Sequence, residues 1–103
     1  MDKYEYIPVV AVKSTKEVEK SVYRFDVCYV PNGADLSAGD LVLYKHNDDD
    51  TQHKGLCVSD VLFVDGPTLD MICRITSTIP QMLPNIIGKI TVKLYSNKEV
   101  ANE

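Results

Sequence analysis

The stretch VYRFDVCYV, Val22 to Val30, constrains this chain more than any other part of it. Tyr23, Phe25, Val27 and Tyr29 alternate with Arg24, Asp26 and Cys28, and a period of two puts the aromatic and aliphatic side chains on one face of an extended strand. A helix would scatter the same residues around its circumference. One face of this strand therefore packs on a core and the other is at least partly wet. Such a strand cannot bury its apolar face alone, so the rest of the chain has to supply partners.

Residues 4–13, YEYIPVVAVK, read as a first strand. Proline has no N–H for a ladder, so this strand begins at an edge or pairs only beyond Pro8. LVLYK (41–45) is a third strand. GLCVSDVLFV (55–64) is a fourth, in which Asp60 marks a bulge, an edge or a twist between two halves. LDMICRITST (69–78) reads as a fifth. KITVKLYS (89–96) reads as the last, with Ile90, Val92 and Leu94 inward. The linkers carry turn chemistry. In PNGADLSAGD (31–40), Pro31, Asn32 and Gly33 supply a turn, Gly39 admits a left-handed or bulged backbone, and Asp40 can bond a nearby N–H. HNDDDTQHK (46–54) is a polar hairpin loop. In IPQMLPNIIG (79–88), Pro80 and Pro84 exclude a central strand and leave a single helical turn or an irregular packed loop.

Short strands joined by turn clusters, without a visible internal repeat, predict a mainly β fold. The expected form is a small antiparallel barrel or rolled sheet of five to six strands, with at most one or two short helical turns. One domain is expected over residues 1–96, with a frayed tail over 97–103. Its expected core includes Phe25, Val27, Leu43, Val58, Val61, Ile75 and Val92. A chain of 103 residues buries roughly two thirds of its unfolded surface, enough for one compact core and too little for a large internal active site.

The first residues, MDKYEYIPVV, hold no cationic segment followed by an apolar run, and no run approaches the ~18 apolar residues of a membrane-spanning helix. The expected setting is cytoplasmic, with no membrane partner. Three cysteines, Cys28, Cys57 and Cys73, all in apolar surroundings, are expected to be free buried thiols.

Searches for chemistry return little. His46, Asp48, Asp49, Asp50 and His53 share one loop and are ligand types for divalent cations, but the loop lacks the spacing of a zinc site and the glycine of an EF-hand. A solvated hairpin tip is the preferred reading, and neither a metal nor a cofactor is expected. No Gly-x-Ser-x-Gly is present, and the only two histidines lie in that loop. The five glycines are isolated, as turns require, and form no phosphate cradle. An enzyme is not expected.

Six tyrosines fall in expected strands, and Tyr6, Tyr44 and Tyr95 are the expected exposed ones. Interleaved with Arg24, Lys45, Lys89 and Lys93, they could stack bases, as in oligonucleotide-binding barrels. The net charge of −4 and the dispersal of the basic residues weigh against nucleic acid and favour a protein partner. The run Asp48, Asp49, Asp50 offers carboxylates to a basic surface, so an acidic inhibitor of a nucleic-acid site is a further reading.

The segments VYRFDV (Val22 to Val27), LSAGDLVL (Leu36 to Leu43), GLCVSDV (Gly55 to Val61) and IGKITV (Ile87 to Val92) resemble a group of small phage and prophage proteins. These pair a vYrFdv-type strand with an apolar-x-x-Gly-Asp turn, a later glycine before a valine-rich strand and a closing vvgKv segment. The resemblance covers about residues 6 to 93. The chain departs from it in the longer HNDDDTQH loop and in Pro80 and Pro84. It implies a small β-barrel from a mobile element and transfers no functional residue. The expected function is a non-enzymatic protein-binding module, with contacts through Asp48, Asp49, Asp50, Tyr6, Tyr44 and Tyr95.

Overall fold

A computed structural model describes residues 6–16 and 24–90. Six strands form one sheet: β1 (Ile7–Ser14), β2 (Asp26–Tyr29), β3 (Leu41–Lys45), β4 (His53–Cys57), β5 (Leu62–Val64) and β6 (Asn85–Ile90). One helix, α1 (Gly66–Ile75), and a single 3-10 turn at Pro80–Met82 lie between β5 and β6. The sheet order is β2-β6-β3-β4-β1-β5, and a further pairing of β2 with β1 closes five strands into a barrel, with β5 as an extra strand. All pairings are antiparallel except β2 with β6, which meet in parallel at Tyr29 and Asn85. The mainly β barrel is as expected. Among the described residues, no helix is long and apolar enough to cross a membrane.

β1 organises the molecule. One edge pairs with β2 from Val9–Tyr29 to Val12–Asp26. The other edge pairs first with β5 and then with β4. Between the Val9–Leu62 and Val12–Cys57 pairs, the β4–β5 side carries two extra residues. This is the bulge that Asp60 marks in the sequence. Ser59 Oγ accepts from Ala11 N–H at 3.1 Å inside it, so the interrupted ladder keeps its hydrogen bond. Pro8 lies within β1, not before its pairing. Its carbonyl accepts from Val30 N–H at 3.0 Å.

The corner LSAGDLVLY is a hydrogen-bonded turn. Asp40 N–H bonds Ser37 O at 3.0 Å, and Gly39 has φ +98°, a conformation that a β-carbon opposes. Asp40 Oδ2 accepts from Ser37 N–H, and Asp60 Oδ1 accepts from Ala38 N–H, each at 2.9 Å. Two carboxylates thus hold the turn, one from within it and one from the bulge. Their hydrogen bonds explain why the chain extends directly from Asp40 into β3.

Two cores share the β1–β2 wall. Val10, Val12, Cys28, Val42, Tyr44, Cys57 and Ile86 fill the barrel. Val9 and Val27, on the opposite face of the same strands, pack against Leu69 and Cys73 of α1 and against Leu83. The face of β2 expected to be wet is therefore barrel interior at Cys28. Val27 is buried, as expected, whereas Val61 is only half-buried, packed against the barrel. Leu43, Val58, Phe25 and Ile75 do not join the core, and Val92 lies outside the described residues. In β3, Val42 and Tyr44 face inward and Leu43 is only half-buried, because the register with β4 and β6 selects the even-numbered residues. Val58 falls on the bulge and is exposed. Phe25 precedes β2 and lies in the open groove below the last turn of the helix, 48% exposed.

The stretch 69–78 is not a strand. Residues 66–75 form a ten-residue helix, longer than the one or two turns expected. Asp65 caps its N-terminus by accepting from Thr68 N–H at 2.9 Å, with Pro67 in the first turn, where a missing N–H costs nothing. Leu69, Ile72 and Cys73 then follow at helical spacing. The 3-10 turn falls in the segment expected to be irregular, 79–88, but that segment ends early. Asn85–Gly88 belong to β6, which lies between β2 and β3 and starts four residues before the expected last strand, directly after Pro84. Val92, Leu94 and Tyr95 and the expected tail lie outside the described residues.

Candidate functional site

Where α1 ends, the outer core is left open. The floor is the outer face of the sheet: Ala11, Phe25, Val27 and Leu62. The roof is the last turn of the helix, Ile72 and Ile75. Between them runs an apolar groove of about 250 Å³. Ile75 is 74% exposed, and Met71, one helical turn before it, is also exposed. Leu69 and Cys73 cover Val9 and Val27, while Ile72 and Ile75 overhang the part of the floor that nothing described covers. At the helix C-terminus the groove opens into a more polar recess lined by Ser14, Arg24, Asp26 and Ser77.

The helix stops there for a local reason. Thr78 N–H bonds Cys73 O at 2.8 Å and Ser77 N–H bonds Arg74 O at 3.3 Å, a Schellman pair that requires a left-handed residue at Ser77. Its φ is +62°, a position where glycine is the usual choice. Thr76 Oγ1 also donates to Ile72 O at 3.0 Å. The last carbonyls of α1 are thus largely satisfied, and the groove end is shaped by a strained cap.

Tyr29 leans under the other side of this layer. Its hydroxyl donates to Pro80 O at 2.7 Å, tying the 3-10 turn to β2, and burial raises its pKa. Burial likewise pushes the Cys28, Cys57 and Cys73 thiols up, with Asp26 adding to the effect at Cys28 and Asp40 at Cys57. Thiols held neutral in this way are poor nucleophiles and poor ligands.

The residues expected to form the contact surface are not brought together. Tyr6 is exposed just before β1. Asp48, Asp49 and Asp50 are exposed in the β3–β4 loop, at the other end of β1, where Ser14 pairs with Gly55. Tyr44 is a correction: it is 3% exposed and lies inside the barrel, its ring 5.4 Å from that of His53. Gly55 makes room for it. A β-carbon there would collide with Val12 Cγ1 and stand 2.8 Å from the Tyr44 ring, so this glycine serves packing rather than a turn.

In the loop, Asp49 Oδ1 accepts from Thr51 N–H at 2.9 Å, which holds its carboxyl below the usual range, and Asp50 lies 3.7 Å from Lys45 Nζ. His46 and His53 approach edge to face at 6.1 Å. Among the described residues, no group of three histidine, cysteine or acidic side chains is placed to hold a metal ion.

Sequence reading missed the groove residue Ile72, and it placed Phe25 and Ile75 in a sealed core, where the structure leaves both exposed. The available signal was Asp65-Gly66-Pro67 ahead of a helical apolar spacing. The chain matches no protein-family model, and no curated protein and no solved structure is significantly similar to it.

Proposed function

We propose that this chain is a non-enzymatic protein-binding module that receives an apolar segment of a protein partner in the groove between α1 and the β1–β2 sheet. The observation that carries this reading is the groove itself, with Phe25 and Ile75 as large exposed apolar walls. Contiguous exposed apolar surface of this kind marks interaction sites in soluble proteins. An aromatic and an aliphatic anchor beside a preformed trough are the elements from which interface hot spots are built. The resemblance to small phage proteins fits an accessory role of this type.

Two other readings have less support. The lysines of β3 and β6 are engaged by carboxylates, Lys45 by Asp50 and Lys89 by Asp40 at 3.3 Å, which weakens any basic track for nucleic acid. Asp49 and Asp50 in turn serve their own loop, which leaves Asp48 as the least committed carboxylate for a basic partner.

The test is selection of displayed 12-residue peptides on the wild-type protein, followed by affinity measurement on Ile75→Asp. Selected peptides should carry paired apolar residues and lose about 30-fold in affinity on Ile75→Asp, the loss of one hot spot. Binding indifferent to Ile75→Asp overturns the groove as the site. In parallel, labelled single-stranded DNA and RNA should show no anisotropy change at physiological salt.

A further inference from the structure

The five barrel strands close on one another through the β1–β2 ladder and the Tyr29–Asn85 pair, whereas the extra strand has an open edge: among the described residues, β5 ends the sheet order and pairs only with β1. The direction of its free groups follows from the register. Pro8 O accepts from Val30 N–H, so the polar groups of Pro8 point towards β2. Those of its neighbours Ile7 and Val9 therefore point the other way, towards Val64 and Leu62. Phe63 lies opposite Pro8, and its own N–H and C=O consequently point away from β1, out of the molecule.

Edge strands are usually blunted by a lysine, a proline or an inward charge. Leu62-Phe63-Val64 carries none of these, and only its three-residue length and the bulge before it limit what can pair there. Its two large side chains are exposed on opposite faces, Leu62 at 46% and Phe63 at 65%. Tyr6, 60% exposed, lies two residues before Pro8 and so on the Phe63 side of the sheet.

We propose that β5 is a self-association edge, at which a second copy of this chain adds its own β5 antiparallel about a two-fold axis at Phe63. An edge with a single outward residue is matched by an edge with a single outward residue, and a second copy supplies one. In the two-fold arrangement each Phe63 N–H meets the C=O of the other Phe63. The two phenyl rings stand opposite one another on one face, and Leu62 meets Val64 of the second copy on the other face. The few apolar side chains involved fall well short of the ~800 Å² per partner of a stable dimer, so the association is weak and reversible. Leu62 is shared with the groove floor, but Phe63, on which the association turns, lies on the opposite face of the sheet from the Phe25–Ile75 walls, and the inference does not depend on the groove's function.

The test is sedimentation velocity from about 10 µM to about 1 mM, the range in which small interfaces associate. The wild type should move towards dimer across that range. Phe63→Pro removes the outward N–H and costs no bond to β1. It should stay monomeric with an unchanged circular dichroism spectrum. Phe63→Asp retains the backbone and sets charge against charge, so it should also be monomeric even where the proline variant folds poorly. Ile75→Asp should self-associate like the wild type, which separates this edge from the groove. A wild type that remains monomeric at the highest concentration overturns the proposal, as does association that survives both Phe63 changes.

Discussion

The inside of the barrel and the layer beneath α1 use the same two strands and reach opposite ends. In the barrel, Val10, Val12 and Cys28 meet side chains from β3, β4 and β6, and every one of these residues is nearly inaccessible. Under the helix, Val9 and Val27 meet Leu69, Cys73 and Leu83, but the neighbouring Phe25, Leu62 and Ile75 stay exposed. A barrel closes because each wall strand has a neighbour on both sides, and here Val30 and Leu36 of the β2–β3 connection complete its buried interior. A sheet face covered by one ten-residue helix is covered for roughly 15 Å and no further. The sealed region supplies stability, and the remainder is left uncovered by the described residues.

That comparison can be broken in several ways. The largest effect is expected from Tyr44→Ala, which empties the barrel beside Gly55 and should cost about 3–5 kcal/mol in a urea or thermal melt. A loss below about 1 kcal/mol would mean that the interior is not closed around this ring. Gly55→Ala should follow at about 1–3 kcal/mol, because its new methyl must displace Val12 or the Tyr44 ring, both held by their neighbours.

The helical layer should respond more gently. Ser77→Gly relieves the left-handed cap and should raise stability by about 0.5–1 kcal/mol, the left-handed penalty less the added chain entropy. Phe25→Ala should cost under about 1 kcal/mol, as at an exposed position. A cost in the range of a buried aromatic would show the groove to be closed in solution.

The smallest effect concerns acid. Thr68, bonding through its hydroxyl and its N–H, holds the Asp65 carboxyl below its ordinary range, and Ser37 N–H does the same for Asp40. A depressed folded pKa gives stability that is present above the unfolded value of about 3.9 and is lost as pH falls through the folded one. Urea midpoints should therefore drop between neutral pH and pH about 3. Asp65→Asn, which caps without titrating, should drop less. Equal drops would remove Asp65 from the account.

Much of the barrel is legible in the amino-acid sequence. The alternation around Val27, the turn at Gly39, the bulge at Asp60 and the polar loop after β3, expected at 46–54 and ending where β4 begins at His53, are all local matters, decided by backbone conformation and hydrogen bonding within a few residues. The stretch 69–75 shows where local pattern becomes ambiguous. Leu69, Met71, Cys73 and Ile75 alternate as a strand requires, while Leu69, Ile72 and Cys73 are spaced as a helix requires. Ile72 fits only the helix. The cap at Asp65 and Pro67 tips the balance, and reading those residues as a plain turn hid it.

The sequence by itself determined that this chain makes short strands, where they turn, and that its cysteines sit among apolar neighbours. Only the tertiary structure decided which side of each strand is inside. Burial at β2 depends on what lies across from it, a barrel on one face and a helix on the other, so Cys28 and Val27 are both buried and Phe25 is not. Tyr44 is buried because Gly55, eleven residues further on, leaves a space of its shape. A one-residue change of register would exchange its place with Leu43, and register is a property of paired strands that no single strand carries.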